Sequence, residues 1–400
     1  MIWMFAAWMA CSTGSDGPTS STVPSDADVD TDTDTDTDTD TDTDTDADSD
    51  TDTDTDDCSV SATGLPFPAD TQAAFDASMA VYFADQASPG AAVAIAPLAT
   101  GELWAGTIGL ADLQNDVPWE LDSPYPIGSV SKVFTTTLVM QYVEEGVFTL
   151  DDPIDLWVST PWDGEGITLR DLEQHTSGIV SYNYIGSFDA SQAYTPQELV
   201  DWAALHGPDL LFPPGTVHEY SNTNYVLLGL AIEAASGRVF EDELQDRILT
   251  PLQLCQTYMA DENPPDVVRG YQGDPLYDAT SDGHPTTGWA AGGMVSTPSE
   301  LALFGAALFG GQLLQPSSLE TMTTPLLIDG QPTNHGMGLF GEVGPEYGGY
   351  WGHTGGIGGH LTYMFYLESE DSVVVAMVNS FEGTDVDTMA NAAWEVVLFD

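Results

Sequence analysis

Residues 127–154 read IGSVSKVFTTTLVMQYVEEGVFTLDDPI. From 129 to 145 the pattern predicts a helix with apolar side chains on nearly every side: Val133, Phe134, Leu138, Val139, Met140, Tyr142 and Val143. Such a helix has no polar face to show to water, so it must be buried. Near its start stands Lys132, the single lysine of the chain, three residues after Ser129. Positions i and i+3 lie on one helix face, so the lysine nitrogen can reach the Ser129 hydroxyl. Burial disfavours the ammonium form and makes Lys132 a candidate proton acceptor. The helix N-terminus also favours a developing alkoxide on Ser129. By itself Ser-x-x-Lys is a common spacing, and a solvated surface lysine is its ordinary alternative.

Two further stretches join it. PPGTVHEYSNTNYVLLG carries Tyr220-Ser221-Asn222. A tyrosine beside a cationic group can relay a proton. An asparagine two residues on can bind an acyl amide or the lysine, although Ser221 and Asn222 also fit a helix N-cap after a glycine turn. The third stretch is His353-Thr354-Gly355-Gly356 on an expected strand. Its glycines let a substrate lie close to the strand edge. The backbone N–H of Gly356, with that of Ser129, could form an oxyanion hole.

These three elements, in this order, resemble the serine β-lactamase and penicillin-binding superfamily, with its Ser-x-x-Lys, Ser/Tyr-x-Asn and Lys/His-Thr-Gly motifs. The Tyr and His forms look most like the branch holding class C β-lactamases, DD-peptidases and β-lactamase-related esterases. PGAAVAI (89–95), ITLRDLEQHTSGI (167–179), AGGMVSTPSELALFG (291–305) and GHTGGIGGH (352–360) extend the resemblance over nearly all of the non-acidic chain. It implies an α+β fold: an antiparallel sheet flanked by helices, a mostly helical second domain, and an active site between them. It also implies Ser129 as nucleophile, Lys132 and Tyr220 sharing the proton work, and Asn222, His353, Thr354, Gly355 and Gly356 holding substrate, with no metal and no cofactor. The implied activity is hydrolysis of esters, amides or peptides through an acyl-enzyme. The alternatives are a D-Ala-D-Ala carboxypeptidase or class C-type β-lactamase and, in another class, a domain that traps an acyl group without turnover. His353 stands where β-lactamases commonly have lysine. An imidazole near its ordinary pKa of ~6.5 is mostly neutral above pH 7 and begins to charge towards pH 6. His175-Thr176-Ser177-Gly178 imitates a catalytic tetrapeptide, but the family pattern makes it a turn after a helix.

Outward from these motifs, the pattern predicts helices at 70–83, 168–174, 196–205, 224–236, 241–249, 298–309 and 386–398. Strands are expected at 91–95, 102–108, 350–353, 361–367 and 372–379. Strands at both ends with helices between suggest a sheet built from the two termini around a helical insertion. This hydrolase-like region is expected to span 58–400.

The 400 residues carry 64 Asp and Glu against 5 Lys and Arg, a formal charge of −59. Nucleic acid is therefore not an expected partner, since phosphate contacts need cations. No stretch has the ~18–20 uninterrupted apolar residues of a spanning helix. Residues 12–57 hold 18 of the acids, and 31–56 nearly repeats Thr-Asp. Such a segment buries too little to offset its ordering entropy, so it is expected to be a disordered, extended linker. Residues 1–11, MIWMFAAWMAC, are similar to the end of a lipoprotein export signal. Export to the cell envelope or medium is expected, with membrane contact only through a lipid on Cys11. Cys58 and Cys255 then remain as an even pair for an oxidising compartment.

Overall fold

A computed structural model describes residues 64–261, 267–344, 348–382 and 385–399. The signal-like start, the Thr/Asp linker and Cys58 lie outside the described residues. So does the beginning of the expected 58–400 region.

Among the described residues the main sheet has eight strands, two of them the short Leu65–Pro66 and Val117–Pro118; the other six are β1 Gly90–Pro97, β2 Glu102–Asp112, β3 Phe340–Gly344, β4 Gly348–Ile357, β5 His360–Leu367 and β6 Ser372–Val378. Their spatial order is β2-β1-β6-β5-β4-β3 and every neighbouring pair is antiparallel. The sheet is thus assembled from the two ends of the chain, as the sequence suggests. Short Leu65–Pro66 adds to the outer edge of β2 in parallel.

Strand β1 and, after Ser372, strand β6 are apolar at every position because both faces of the sheet are covered. In β1, Ala91, Val93 and Ile95 enter one core while Ala92, Ala94 and Ala96 enter the other. In β6, Val374, Ala376 and Val378 face the first core and Val373, Val375 and Met377 the second. This is the period-2 alternation of a pleated strand with no wet side. The first face is covered by α1 (Ala69–Phe83) and a C-terminal helix (Val386–Phe399), through Phe75, Met79, Met389 and Trp394.

The other face meets the helical region. There α2 (Ser131–Glu144), α3 (Leu169–Glu173), α4 (Pro196–His206), α5 (Asn222–Ser236) and α6 (Pro298–Phe309) share the larger core, which makes the C-terminal helix α7. Capping boxes start α3 (Thr168 with Asp171) and α4 (Thr195 with Glu198), each satisfying orphan N–H groups. Gly237, with φ +69°, ends α5 in the left-handed conformation. The expected 129–145 helix begins instead with a 3₁₀ turn, Gly128–Val130, so Ser129 sits on a tighter turn that feeds α2. Cys255, between α5 and α6, is disulfide-bonded.

The two regions are joined by α6 lying between α2 and the sheet. Phe134 of α2 and Phe304 of α6 are fully buried and stack with centroids 3.5 Å apart and planes 10° apart. Deleting such a ring removes its transfer energy and leaves a cavity. Phe304→Ala should lower unfolding stability by about 3–5 kcal/mol in urea titrations. A loss under about 1 kcal/mol would show that α2 is not anchored through this stack.

Candidate active site

The turn before α2 is shaped by close backbone approach. Gly128 has φ +53°, and a Cβ there would stand 2.9 Å from the amide nitrogen of Gly356. A Cβ on Gly355 would meet Ile127 O at 2.0 Å and the Ser129 nitrogen at 3.2 Å. Only glycines let strand β4 come this near the turn. The result is one patch of backbone that brings the Ser129 turn against the Gly355–Gly356 segment of β4. Ser129 itself is half-buried and Gly356 exposed, so the patch opens to solvent.

Lys132, on the first turn of α2, is completely buried. Its Nζ donates to Asn222 Oδ1 at 2.8 Å and to Ala291 O at 2.5 Å, and lies 3.1 Å from Ser129 Oγ. The backbone of 290–293 approaches α2 because it is Ala-Ala-Gly-Gly. Thr135 Oγ1 donates to Ala290 O at 2.7 Å and locks the approach one residue earlier. Burial holds the Lys132 pKa well below its ordinary value. Among the described residues no carboxylate contacts the nitrogen. A neutral amine has two hydrogens, which Asn222 and Ala291 take, and one lone pair, which is left for Ser129.

Tyr220 completes this group. Its hydroxyl donates to Ser129 Oγ at 2.8 Å, and its ring centroid lies 4.9 Å from Lys132 Nζ. Burial pushes its pKa well up, so it is a proton donor at rest and not a phenolate. Asn222 opens α5. Its N–H donates to Ser181 Oγ at 2.8 Å and its Nδ2 to Asn183 Oδ1 at 3.0 Å, which fixes the amide with Oδ1 towards Lys132. Ser221 occupies the N-cap position, but its hydroxyl makes no capping bond. The cap expected from Ser221 is supplied from outside the helix by Ser181.

His175 is a turn residue after α3, with φ +56°. It also positions the Tyr220 segment: its carbonyl accepts from Glu219 N at 2.9 Å and its Nδ1 accepts from Ser221 N at 3.1 Å. That positioning role was not visible in the tetrapeptide.

His353 is buried, and its ring stacks on Phe340 of β3 with centroids 4.2 Å apart. Its Nδ1 donates to Thr354 O at 2.5 Å. Burial, with Lys132 nearby, pushes its pKa down to about 3. The expectation that His353 begins to charge near pH 6 is therefore corrected: desolvation keeps it neutral throughout the physiological range. Thr354 is half-buried beside it. Strand β3 and Phe340, which cover His353, were missed because GLFGEVG shows no clean alternation. Ala291 contributes a backbone oxygen, which no side-chain motif announces. Among the described residues no group of three or more His, Cys, Asp or Glu is placed to hold a metal ion.

The Beta-lactamase family model matches residues 71–398 of the chain. The chain is 27% identical over 316 residues to penicillin-binding protein 4* of Bacillus subtilis, covering 74% of this chain and 70% of that one. The D-stereospecific amidohydrolase from a Streptomyces species superposes with a TM-score of 0.68 at 31% identity, covering 81% of this chain and 97% of that one. The D-amino acid amidase of Ochrobactrum anthropi SV3 superposes with a TM-score of 0.73 at 28% identity, covering 82% and 99%. The fold, the motif order and these matches agree: the chain belongs to the Beta-lactamase family of serine hydrolases.

Proposed function

We propose that this protein hydrolyses small amides, peptides or esters that lack a carboxylate at the recognition end, through an acyl-enzyme on Ser129. The observation that carries the mechanism is the buried Lys132 nitrogen, with both amine hydrogens engaged and Ser129 Oγ at 3.1 Å. Ser129 Oγ attacks the substrate carbonyl while its proton passes to Lys132 Nζ. The carbonyl oxygen gains the charge and is received by the N–H groups of Ser129 and Gly356. The Tyr220 hydroxyl protonates the departing amine or alcohol and recovers a proton from Lys132. Water then gives a proton to the Tyr220–Lys132 pair, attacks the acyl carbonyl and releases acid, restoring Ser129. Asn222, Thr354, Gly355 and Gly356 line the acyl chain, with His353 behind them.

The substrate class follows from where the cations are. Arg170 pairs with Asp151, Arg238 with Glu243 and Asp246, and Arg247 with Glu145 and Glu243. The charge of Arg269 is felt by Asp112, Tyr271 and His360. His353 stays neutral. Exposed Glu219 precedes Tyr220; burial, and after it the negative charge of Glu219, raises the pKa of Tyr184. A field of this sign slows the encounter with anions. Amide-hydrolysing relatives, such as a D-amino acid amidase and the D-aminopeptidase of Brucella anthropi, support this reading.

The segment ending at Cys11 resembles a lipoprotein signal, and we assign the enzyme to the cell envelope on that basis, tethered by a Cys11 lipid through the acidic linker. Intact mass of protein from an exporting host should show a diacylated Cys11, and an unmodified mature N-terminus would refute the anchor.

A substrate panel tests the activity. Ser129→Ala should abolish fluorophosphonate labelling and lower turnover of a short neutral ester by at least about 10³-fold. Persistent labelling would overturn the nucleophile. kcat/KM for a neutral ester or amino-acid amide should exceed that for a penicillin by at least about 10-fold at pH 7.5 and low salt. Because His353 does not charge, this ratio should stay level from pH 8 to pH 6. Faster penicillin hydrolysis would favour the β-lactamase or carboxypeptidase alternative.

A further inference from the structure

Behind the site lies a buried carboxyl that the mechanism above does not use. Glu173, the last residue of α3, is 1% exposed. Its Oε2 accepts from Thr136 Oγ1 at 2.6 Å and from Tyr225 Oη at 3.2 Å. Its other oxygen, Oε1, has no hydrogen-bond partner. Its backbone carbonyl accepts from Gly338 N at 3.4 Å.

The partners are placed to matter. Thr136 follows Lys132 by one helical turn, on the same face of α2. Tyr225 follows Asn222 by three residues, on the same face of α5. The Glu173 carboxyl thus ties together the two helices whose first turns supply Lys132 and Asn222, which bond each other at 2.8 Å. It is also linked to Lys132 through one ring: Lys132 Nζ lies 5.3 Å from the Tyr225 centroid, and the Tyr225 hydroxyl contacts Glu173. A core that needed only packing would be served by an apolar side chain, since a buried carboxyl with a bare oxygen is costly.

We propose that Glu173 is a positioning residue for the Ser129–Lys132 pair, holding Lys132 and Asn222 in register through Thr136 and Tyr225 and, when ionised, raising the proton affinity of Lys132 from behind the Tyr225 ring. The proposal rests on Lys132 acting as the base. Burial, opposed by the Thr136 and Tyr225 bonds, pushes the Glu173 pKa up to about 7. Around it, α2 presents Lys132, α5 presents Tyr225, the exit of α3 presents His175, and the 335–339 loop carries His335. Burial holds Tyr225 protonated and both histidines neutral, with His335 pushed down to about 3. Of these groups, Lys132 is the amine that lies behind the Tyr225 ring, 5.3 Å from its centroid. An anion nearby favours the ammonium, so removing it should let Lys132 lose its proton at lower pH.

The test compares Glu173→Gln, which keeps an acceptor oxygen, with Glu173→Leu, which does not. Turnover of p-nitrophenyl acetate is followed from pH 5 to 10, with fluorophosphonate labelling of Ser129 alongside. Glu173→Leu should lose at least about 10-fold in kcat with KM changed less than about 3-fold. Glu173→Gln should keep kcat within about 3-fold at its optimum and move the acid limb of kcat/KM down by about half a pH unit or more. A Leu variant with wild-type kcat, a Gln variant as impaired as Leu, or an unmoved acid limb in Gln would each overturn the proposal. If the Leu variant does not fold, the acid limb of the Gln variant decides alone. Wild-type protein that is not labelled at Ser129 would instead refute the underlying mechanism.

Discussion

An amine that no carboxylate touches, shut out of water, is the constraint around which this molecule is arranged. Lys132 has no exposed surface, and its polar partners are an amide oxygen, a backbone carbonyl and a hydroxyl. Each partner comes from a different part of the chain: the turn before α2, the start of α5, and the Ala-Gly segment before α6. Desolvation costs the charged form far more than the neutral one, so this environment selects the amine. The partners then select its orientation. Stability would be better served by an apolar residue here; the fold instead maintains a base 3.1 Å from a hydroxyl.

The same logic explains the other polar groups around it. Tyr220 stays protonated because burial opposes its anion, which makes it a donor to Ser129. His353 stays neutral for the mirror-image reason. The site is therefore built from uncharged donors and acceptors inside a very acidic chain, of formal charge −59. Glu173 is the buried acid behind the site, and Arg170, Arg238 and Arg247 are paired with other acids. Such a site presents hydrogen-bond donors to a developing oxyanion without a fixed cation that would also bind ground-state carboxylates.

Much of this was legible in the residues, for identifiable reasons. A lone lysine at the start of a helix with apolar side chains on nearly every side, three residues after a serine, points to burial. The run GAAVAIAP has no polar alternation because β1 is covered on both faces, and it still reads as a strand through length and its bounding turns. What stayed hidden depends on long-range contact. Ala291 acts through its carbonyl, β3 is a glycine-rich edge strand, and Ser181 caps a helix 41 residues away. Glu173 reads as one more acid in an acidic chain. Only the convergence of Thr136 and Tyr225 sets it apart. The tautomer and neutrality of His353 follow from Phe340 and Thr354 O, which no spacing rule brings together.

Because Lys132 is the single lysine of the chain, its charge can be read without assignment. Protein grown on lysine labelled with ¹³C at Cε gives one side-chain signal, whose shift reports the proton on Nζ as pH is raised. The account predicts a transition well below the ordinary lysine pKa of ~10.4, with the neutral amine predominant in the pH range of activity. A signal that remains that of an ammonium ion up to pH 10 would contradict it.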